Sequence, residues 1–129
     1  MRWPFRRRHE LGAAGEWLAA RFLFRHGYRL LEQNFRCPGG EIDLIAEDRG
    51  TVVFVEVKTR RSLAAGAPEE AVDRRKRRRL RHAAYYYLEA WRRWPPPYRF
   101  DVIGIELDEA EHVKDIRHTP SAFGMDEME

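Results

Sequence analysis

The segment Gly40-Glu41-Ile42-Asp43-Leu44-Ile45-Ala46-Glu47-Asp48-Arg49-Gly50-Thr51-Val52-Val53-Phe54-Val55-Glu56-Val57-Lys58 decides the fold. Residues 41–46 alternate apolar and acidic side chains, as a half-buried strand does. Residues 51–58 are rich in β-branched and aromatic residues, and Glu47-Asp48-Arg49-Gly50 between the two runs carries turn chemistry. The second run is apolar on both faces at its start, the pattern of a central strand covered on two sides. Alternation puts Glu41, Asp43 and Ile45 on one face of the first strand of this hairpin, and Phe54, Glu56 and Lys58 on one face of the second. A two-residue loop at Asp48-Arg49 pairs Glu47 with Gly50, Asp43 with Phe54 and Glu41 with Glu56. In that register Asp43 is a diagonal neighbour of Glu56, about 7–8 Å away at the backbone.

Outward from the hairpin, residues 10–26 read as a helix. Leu11, Ala14, Gly15, Leu18 and Phe22 form one stripe, and Gly12, Ala19, Ala20 and Leu23 form a second beside it. Such a broad apolar surface predicts a well-buried helix, and Gly27 is its stop. A strand is expected over 28–35, and Cys37-Pro38-Gly39-Gly40 is a turn into the hairpin. After Lys58 a loop over 59–68 leads to a long helix over 69–93, with Leu80, Ala84, Tyr87, Leu88 and Trp91 on one face and Pro95-Pro96-Pro97 ending it. Residues 98–107 alternate as a fourth strand, and 112–117 form a fifth. The predicted order is α-β-β-β-α-β-(β): an α/β fold with a mixed central sheet flanked by helices.

The chain has 129 residues, enough for one domain with one core. Residues 1–9 form a basic N-terminal segment, 10–118 the domain, and 119–129 an acidic, mobile tail. The single cysteine, Cys37, can form no internal disulfide, which points to a reducing, cytoplasmic setting. Cys37 and the five histidines show no zinc-ligand spacing. No apolar run approaches the roughly 20 residues of a membrane span, and no apolar stretch follows the basic N-terminus as in a secretory signal. The net charge of +3 conceals an asymmetry: Glu106 to the end carries −6, and the preceding residues +9. A basic body with an acidic tail suggests a polyanionic partner.

Two features carry chemistry. The first is Asp43, followed after twelve residues by Glu56-Val57-Lys58. Two carboxylates about 5 Å apart repel by about 3 kcal/mol at an effective dielectric near 20. Lys58 offsets part of that, and a hard divalent cation offsets more. Such an ion polarises a phosphoryl oxygen and lowers the pKa of a bound water. An isolated Glu-x-Lys is ordinarily a surface ion pair. Here Val53, Val55 and Val57 mark a buried strand, where a charge needs a partner or a metal. Glu16, among the small residues of the first helix, is a third acid able to reach the site, and Glu41 is a further ligand candidate. Asp101, in Arg99-Phe100-Asp101-Val102, is expected to be structural, paired with an arginine.

The second feature is Arg74-Arg75-Lys76-Arg77-Arg78-Arg79-Leu80-Arg81, cationic at seven of eight positions. Such density repels itself along a helix, and phosphate contact is its natural compensation. Arg75, Lys76, Arg78 and Arg79 are expected to bind backbone phosphates, with Arg60 and Arg61 extending that surface toward Lys58. Tyr85-Tyr86-Tyr87 is expected to pack on the core, with base stacking as its other reading.

Gly40-Glu41-Ile42-Asp43-Leu44-Ile45-Ala46 and Val53-Phe54-Val55-Glu56-Val57-Lys58-Thr59-Arg60 closely resemble the YraN-type family of uncharacterised bacterial proteins. The leading Gly12-Ala13-Ala14-Gly15-Glu16 and trailing Arg99-Phe100-Asp101-Val102 fit as well, so the resemblance spans about residues 10–107. That family is similar to the PD-(D/E)XK nuclease superfamily and to archaeal Holliday-junction resolvases. The resemblance implies a restriction-endonuclease-like αβββαβ core and a Mg²⁺- or Mn²⁺-type metal. It makes Asp43 the first acid, Glu56 the second, Lys58 the lysine and Glu16 the helix acid of the resolvase-like branch. Ile42 stands where that superfamily often has proline. The expected function is a metal-dependent endonuclease acting on DNA, branched DNA included, without a small-molecule cofactor. The alternatives are a DNA-binding module that does not cut, and a protein-interaction module using the basic helix. Cutting both strands symmetrically would require a homodimer, for which Trp91, Trp94 and Tyr98 are aromatic interface candidates.

Overall fold

The computed structural model describes residues 11–61, 74–91 and 95–124. Its elements are α1 (Leu11–Arg25), β1 (Arg29–Cys37), β2 (Gly40–Asp48), β3 (Thr51–Arg60), α2 (Arg74–Leu88), β4 (Tyr98–Leu107) and β5 (Val113–Phe123). This is the mixed α/β arrangement read from the sequence, αβββαβ followed by a fifth strand. The sheet runs β1-β2-β3-β4-β5, antiparallel except between β3 and β4. A parallel neighbour requires a crossover, and α2 lies within it. The N-terminal segment 1–9, the predicted start of the second helix at Glu69, and Trp94 lie outside the described residues. Among the described residues no helix is long and apolar enough to cross a membrane.

Two cores sandwich β3, which explains why its sequence is apolar on both faces. Ala19 and Leu23 of α1 pack with Leu44, Val53, Val55, Val57, Ile103 and Ile105. Leu80, Ala83, Ala84 and Leu88 of α2 pack with Ile42, Ile45, Val52, Phe54, Phe100 and Val102 on the opposite side. Gly27 ends α1 as expected: it has φ 87°, Tyr28 N donates to Leu23 O and Gly27 N to Phe24 O, the paired bonds of a Schellman cap.

Four expectations are corrected. The β2–β3 loop is Arg49-Gly50, not Asp48-Arg49, because both residues take the positive φ (49° and 89°) that a twisted two-residue hairpin demands. Asp48 therefore pairs with Thr51 and Leu44 with Val55, a slide of two positions that preserves side-chain parity. Simple alternation along β2 fails, since Ile42 and Ile45 enter the same core. The strand rolls about its axis between them. α2 ends at Leu88, not Arg93, where the amide bonds tighten: Ala90 N donates to Tyr87 O and Trp91 N to Leu88 O. β5 continues to Phe123, past the expected end at Arg117 and the domain boundary at 118. The Phe123 ring stacks on Phe100 at 5.1 Å, so burial holds the strand in place.

Two glycines bring the helices down onto the sheet. A Cβ at Gly15 would lie 1.8 Å from Thr59 Oγ1, and one at Gly40 would lie 2.4 Å from the Arg79 carbonyl oxygen and 3.0 Å from Ala83 N. The threonine hydroxyl can rotate, but the α2 backbone cannot yield without moving the helix. We predict that Gly40→Ala destabilises the chain by about 1–3 kcal/mol, the usual magnitude of overpacking. Gly12→Ala, which meets nothing within 4 Å, should cause no loss. Urea unfolding of both variants checks this, and equal stability of the two would contradict it.

Candidate metal and phosphate site

The β2–β3 ladder ends at Leu44 opposite Val55. Beyond that point β2 pairs only with β1, while β3 pairs with β4 as far as Arg60. In a two-residue hairpin the residues flanking the loop form a hydrogen-bonded pair, and such pairs recur at every second position. Had the ladder continued, Val57 N–H would have donated to the Ile42 carbonyl. It donates instead to Asp43 Oδ2 at 2.8 Å. A side-chain carboxylate has replaced a backbone carbonyl, and the two strands fork around it.

Three acids meet in the fork. The carboxyl of Asp43 shares hydrogen bonds with those of Glu16, from α1, and Glu56, from β3. Each carboxyl–carboxyl bond requires a proton. Burial, and then the charge of Asp43, push Glu16 up to about 7 and Glu56 up to about 8. Asp43 is also raised, chiefly by burial, while the Val57 amide and the two glutamic acids favour its ionised form. Asn34 of β1, in the left-handed region at φ 52°, hydrogen-bonds Glu16 and lowers its pKa. Asparagine tolerates that backbone better than most residues. Its role was not read from the sequence, where the only signal was a poor strand former inside a strand.

Cations enter from the other face. Lys58 hydrogen-bonds Lys76 of α2 and is pushed down to about 8, first by burial and then by that neighbour. Lys76 stabilises the ionised form of Glu56 more than Lys58 does. Lys76, one of the seven cations in the basic run, thus belongs to the acidic fork. Sequence spacing alone could not single it out.

The other sequence candidates are distributed around this centre. Glu41 is not turned to Asp43: its Oε1 accepts from Arg79 at 3.1 Å, and Arg36 lies 3.7 Å from its Oε2. Its charge still raises Asp43 and Glu16. Arg61 is ion-paired with Glu111 in the β4–β5 turn, so it is committed within the fold. Arg60 sits close enough to Lys58 to depress it further. Arg75 and Arg78 are exposed on α2, whereas Arg77 and Arg81 lie over the Phe123 ring at 5.0 and 5.8 Å. Tyr87 packs against Phe54 and Phe35, while Tyr85 and Tyr86 are exposed, contrary to the expectation that the whole run packs on the core. Trp91 and Tyr98 are partly exposed. Asp101 is structural, as expected: fully buried, it accepts from Arg99 Nε at 3.1 Å, Ser121 N at 3.0 Å and His118 Nε2 at 2.7 Å, which together hold its carboxyl below the usual range.

The donor set fits a hard divalent cation. Glu16, Asp43 and Glu56 offer only carboxylate oxygens, and Glu16 and Glu56 hold near pH 7 protons that a dication would displace. Among the described residues no three acidic, histidine or cysteine side chains already stand ready to enclose an ion.

Residues 15–105 match the profile described as Uncharacterised protein family UPF0102. A UPF0102 protein of Caldicellulosiruptor saccharolyticus is 44% identical over 116 residues, covering 90% of this chain and 98% of that protein. One from Moorella thermoacetica is 46% identical, covering 90% and 97%. One from Symbiobacterium thermophilum is 53% identical over 96 residues, covering 74% and 81%.

The raised acids set the sign of a pH dependence. A carboxyl with a folded pKa near 7 or 8 and an unfolded value of 4.5 binds more protons when folded, so its contribution is full below 4.5 and is lost as pH rises through 7 and 8. Lys58, lowered from 10.5 to about 8, acts in the opposite sense between those values. In metal-free buffer the thermal midpoint should fall between pH 5.5 and 8. Mn²⁺ should raise it more at pH 8 than at pH 5.5. Melting curves with EDTA and with Mn²⁺ check this, and a Glu56→Gln variant should flatten the dependence.

Proposed function

The chain belongs to the UPF0102 family, and we propose that within it this protein is a metal-dependent nuclease that hydrolyses phosphodiester bonds of DNA, at a site made by the β2–β3 fork. The observation that carries this reading is the meeting of three carboxyls and two lysines where the sheet splits. A structural ion pair needs one acid and one base. Three acids in mutual contact beside two neighbouring lysines have the chemistry to hold a cation and to approach an anion at the same point.

Glu16, Asp43 and Glu56 would hold Mg²⁺ or Mn²⁺. The bound ion would supply Lewis-acid polarisation of a phosphoryl oxygen and a water of lowered pKa. The chain's own groups do the rest. The Val57 amide fixes Asp43, so one of its carboxylate oxygens is set by the backbone. Lys58, depressed toward neutrality, can donate a hydrogen bond to the attacking water or to a non-bridging phosphate oxygen without the full cost of a buried ammonium. Lys76 adds positive charge on the α2 side, where charge on the phosphate would develop. Arg75 and Arg78 provide exposed guanidinium groups along the same helix, and Tyr85 and Tyr86 provide exposed rings on which unpaired bases could stack.

The test is cleavage of labelled linear, flapped and four-way-junction DNA with Mg²⁺ or Mn²⁺ against EDTA. Wild type should cut only with metal, and Asp43→Asn and Lys58→Ala should each lose about a hundredfold or more in rate. Their binding in EDTA should survive. Binding without metal-dependent cutting by the wild type on all three substrates would overturn the assignment.

A further inference from the structure

Beside the fork, the β1–β2 turn and α2 enclose a cleft of about 450 Å³ lined by Arg36, Cys37, Gly39, Gly40, Glu41 and Arg79. Its floor is bare backbone at Gly39 and Gly40, and α2 sits too close for a side chain at Gly40. Two guanidinium groups reach into it from different elements, Arg36 from β1 and Arg79 from α2. Both are directed at one carboxylate, that of Glu41.

We infer that this cleft is a second phosphate subsite, in which the Glu41 carboxylate holds the place of a nucleic-acid backbone phosphate between Arg36 and Arg79. The inference rests on the reading of the fork as a nuclease site and adds where the strand runs beyond it. A carboxylate and a phosphodiester present the same paired anionic oxygens to a guanidinium fork. The three side chains are 75%, 45% and 52% exposed for Arg36, Glu41 and Arg79, and ion pairs so exposed are weak, so a phosphate can exchange with Glu41. With two arginines and one glutamate the cleft keeps a net positive charge. Glu41 precedes Asp43 by two residues in β2, about 7 Å along an extended chain. A phosphate here would therefore be close to one at the fork. Arg36 becomes a positioning residue, and Glu41 an occupant that a substrate displaces, distinct from the metal-binding acids.

The test measures binding of fluorescein-labelled duplex and single-stranded oligonucleotides in EDTA across a KCl series. It uses wild type, Arg36→Ala, Glu41→Gln and, as a control, Arg25→Ala at the exposed end of α1. Arg36→Ala should weaken binding several-fold and reduce the log–log salt slope by about 0.7–0.9, one phosphate contact. Glu41→Gln should tighten binding several-fold and retain Mn²⁺ binding at one site, read by calorimetry, with only the modest shift expected from removing a charge that also acts on Asp43 and Glu16. Arg25→Ala should match wild type. Wild-type affinity and slope in Arg36→Ala, weakened DNA binding in Glu41→Gln, or loss of Mn²⁺ affinity in Glu41→Gln would each overturn the subsite. A wild type that binds and cuts while these variants behave like it would remove the subsite alone. A wild type that binds no nucleic acid at low salt would remove the nuclease reading, and the subsite with it.

Discussion

One hydrogen bond, from the Val57 amide to the Asp43 carboxylate, marks the place where this sheet stops being a sheet. Until Leu44 and Val55 the two strands satisfy each other's backbone groups. Past that pair a side chain takes over the role of the ladder, and β2 and β3 part without leaving the Val57 donor unpaired. A buried backbone N–H without a partner would be costly, so the fork depends on a side-chain acceptor at position 43. That constraint is structural first. It also fixes one carboxylate where chemistry can be built around it.

An unbroken sheet is a wall between its two faces. Here α1 packs on one face and α2 on the other, yet Glu16 of α1 and Lys76 of α2 both act on the same small group of residues. They can do so because the strands have separated between them. The close approach of each helix is set by a glycine, Gly15 against Thr59 and Gly40 against the α2 backbone. Acids thus converge from α1, β2 and β3, and cations from β3 and α2. Glu16 and Glu56 hold protons near neutral pH because burial and the charge of Asp43 make full ionisation unfavourable, and Lys58 sits beside them at a depressed pKa. This concentration of acids and lysines at one point of the sheet is what the proposed metal-ion and phosphate chemistry rests on.

Much of this was legible in the sequence. The β-branched and aromatic content of 51–58, apolar on both faces at its start, marks the central strand. Gly27 marks the end of α1, and the spacing of Asp43, Glu56 and Lys58 marks three of the residues that gather at the fork. The loop was misplaced because Arg49 gives no sign that it takes positive φ, although Gly50 beside it does. Parity survives the slide of two positions, so Asp43 and Glu56 still meet, just past the last ladder pair at Leu44 and Val55. What the sequence could not reveal were partners chosen across space. Glu41 looked like a ligand because it lies near Asp43 in a strand, but it meets Arg36 and Arg79. Arg61 looked like a phosphate contact because it follows Lys58, but it meets Glu111. In a run of seven cations, only the three-dimensional placement of α2 distinguishes Lys76 at the fork from Arg77 over Phe123.

The central claim is that the fork exchanges protons for a divalent cation. Calorimetric titration of the full chain with Mn²⁺ at pH 6.5, repeated in buffers of different ionisation enthalpy, measures that exchange directly. The account predicts one site with release of between one and two protons per ion, and loss of both binding and release in Asp43→Asn. Binding without proton release, or release that persists in Asp43→Asn, would contradict it.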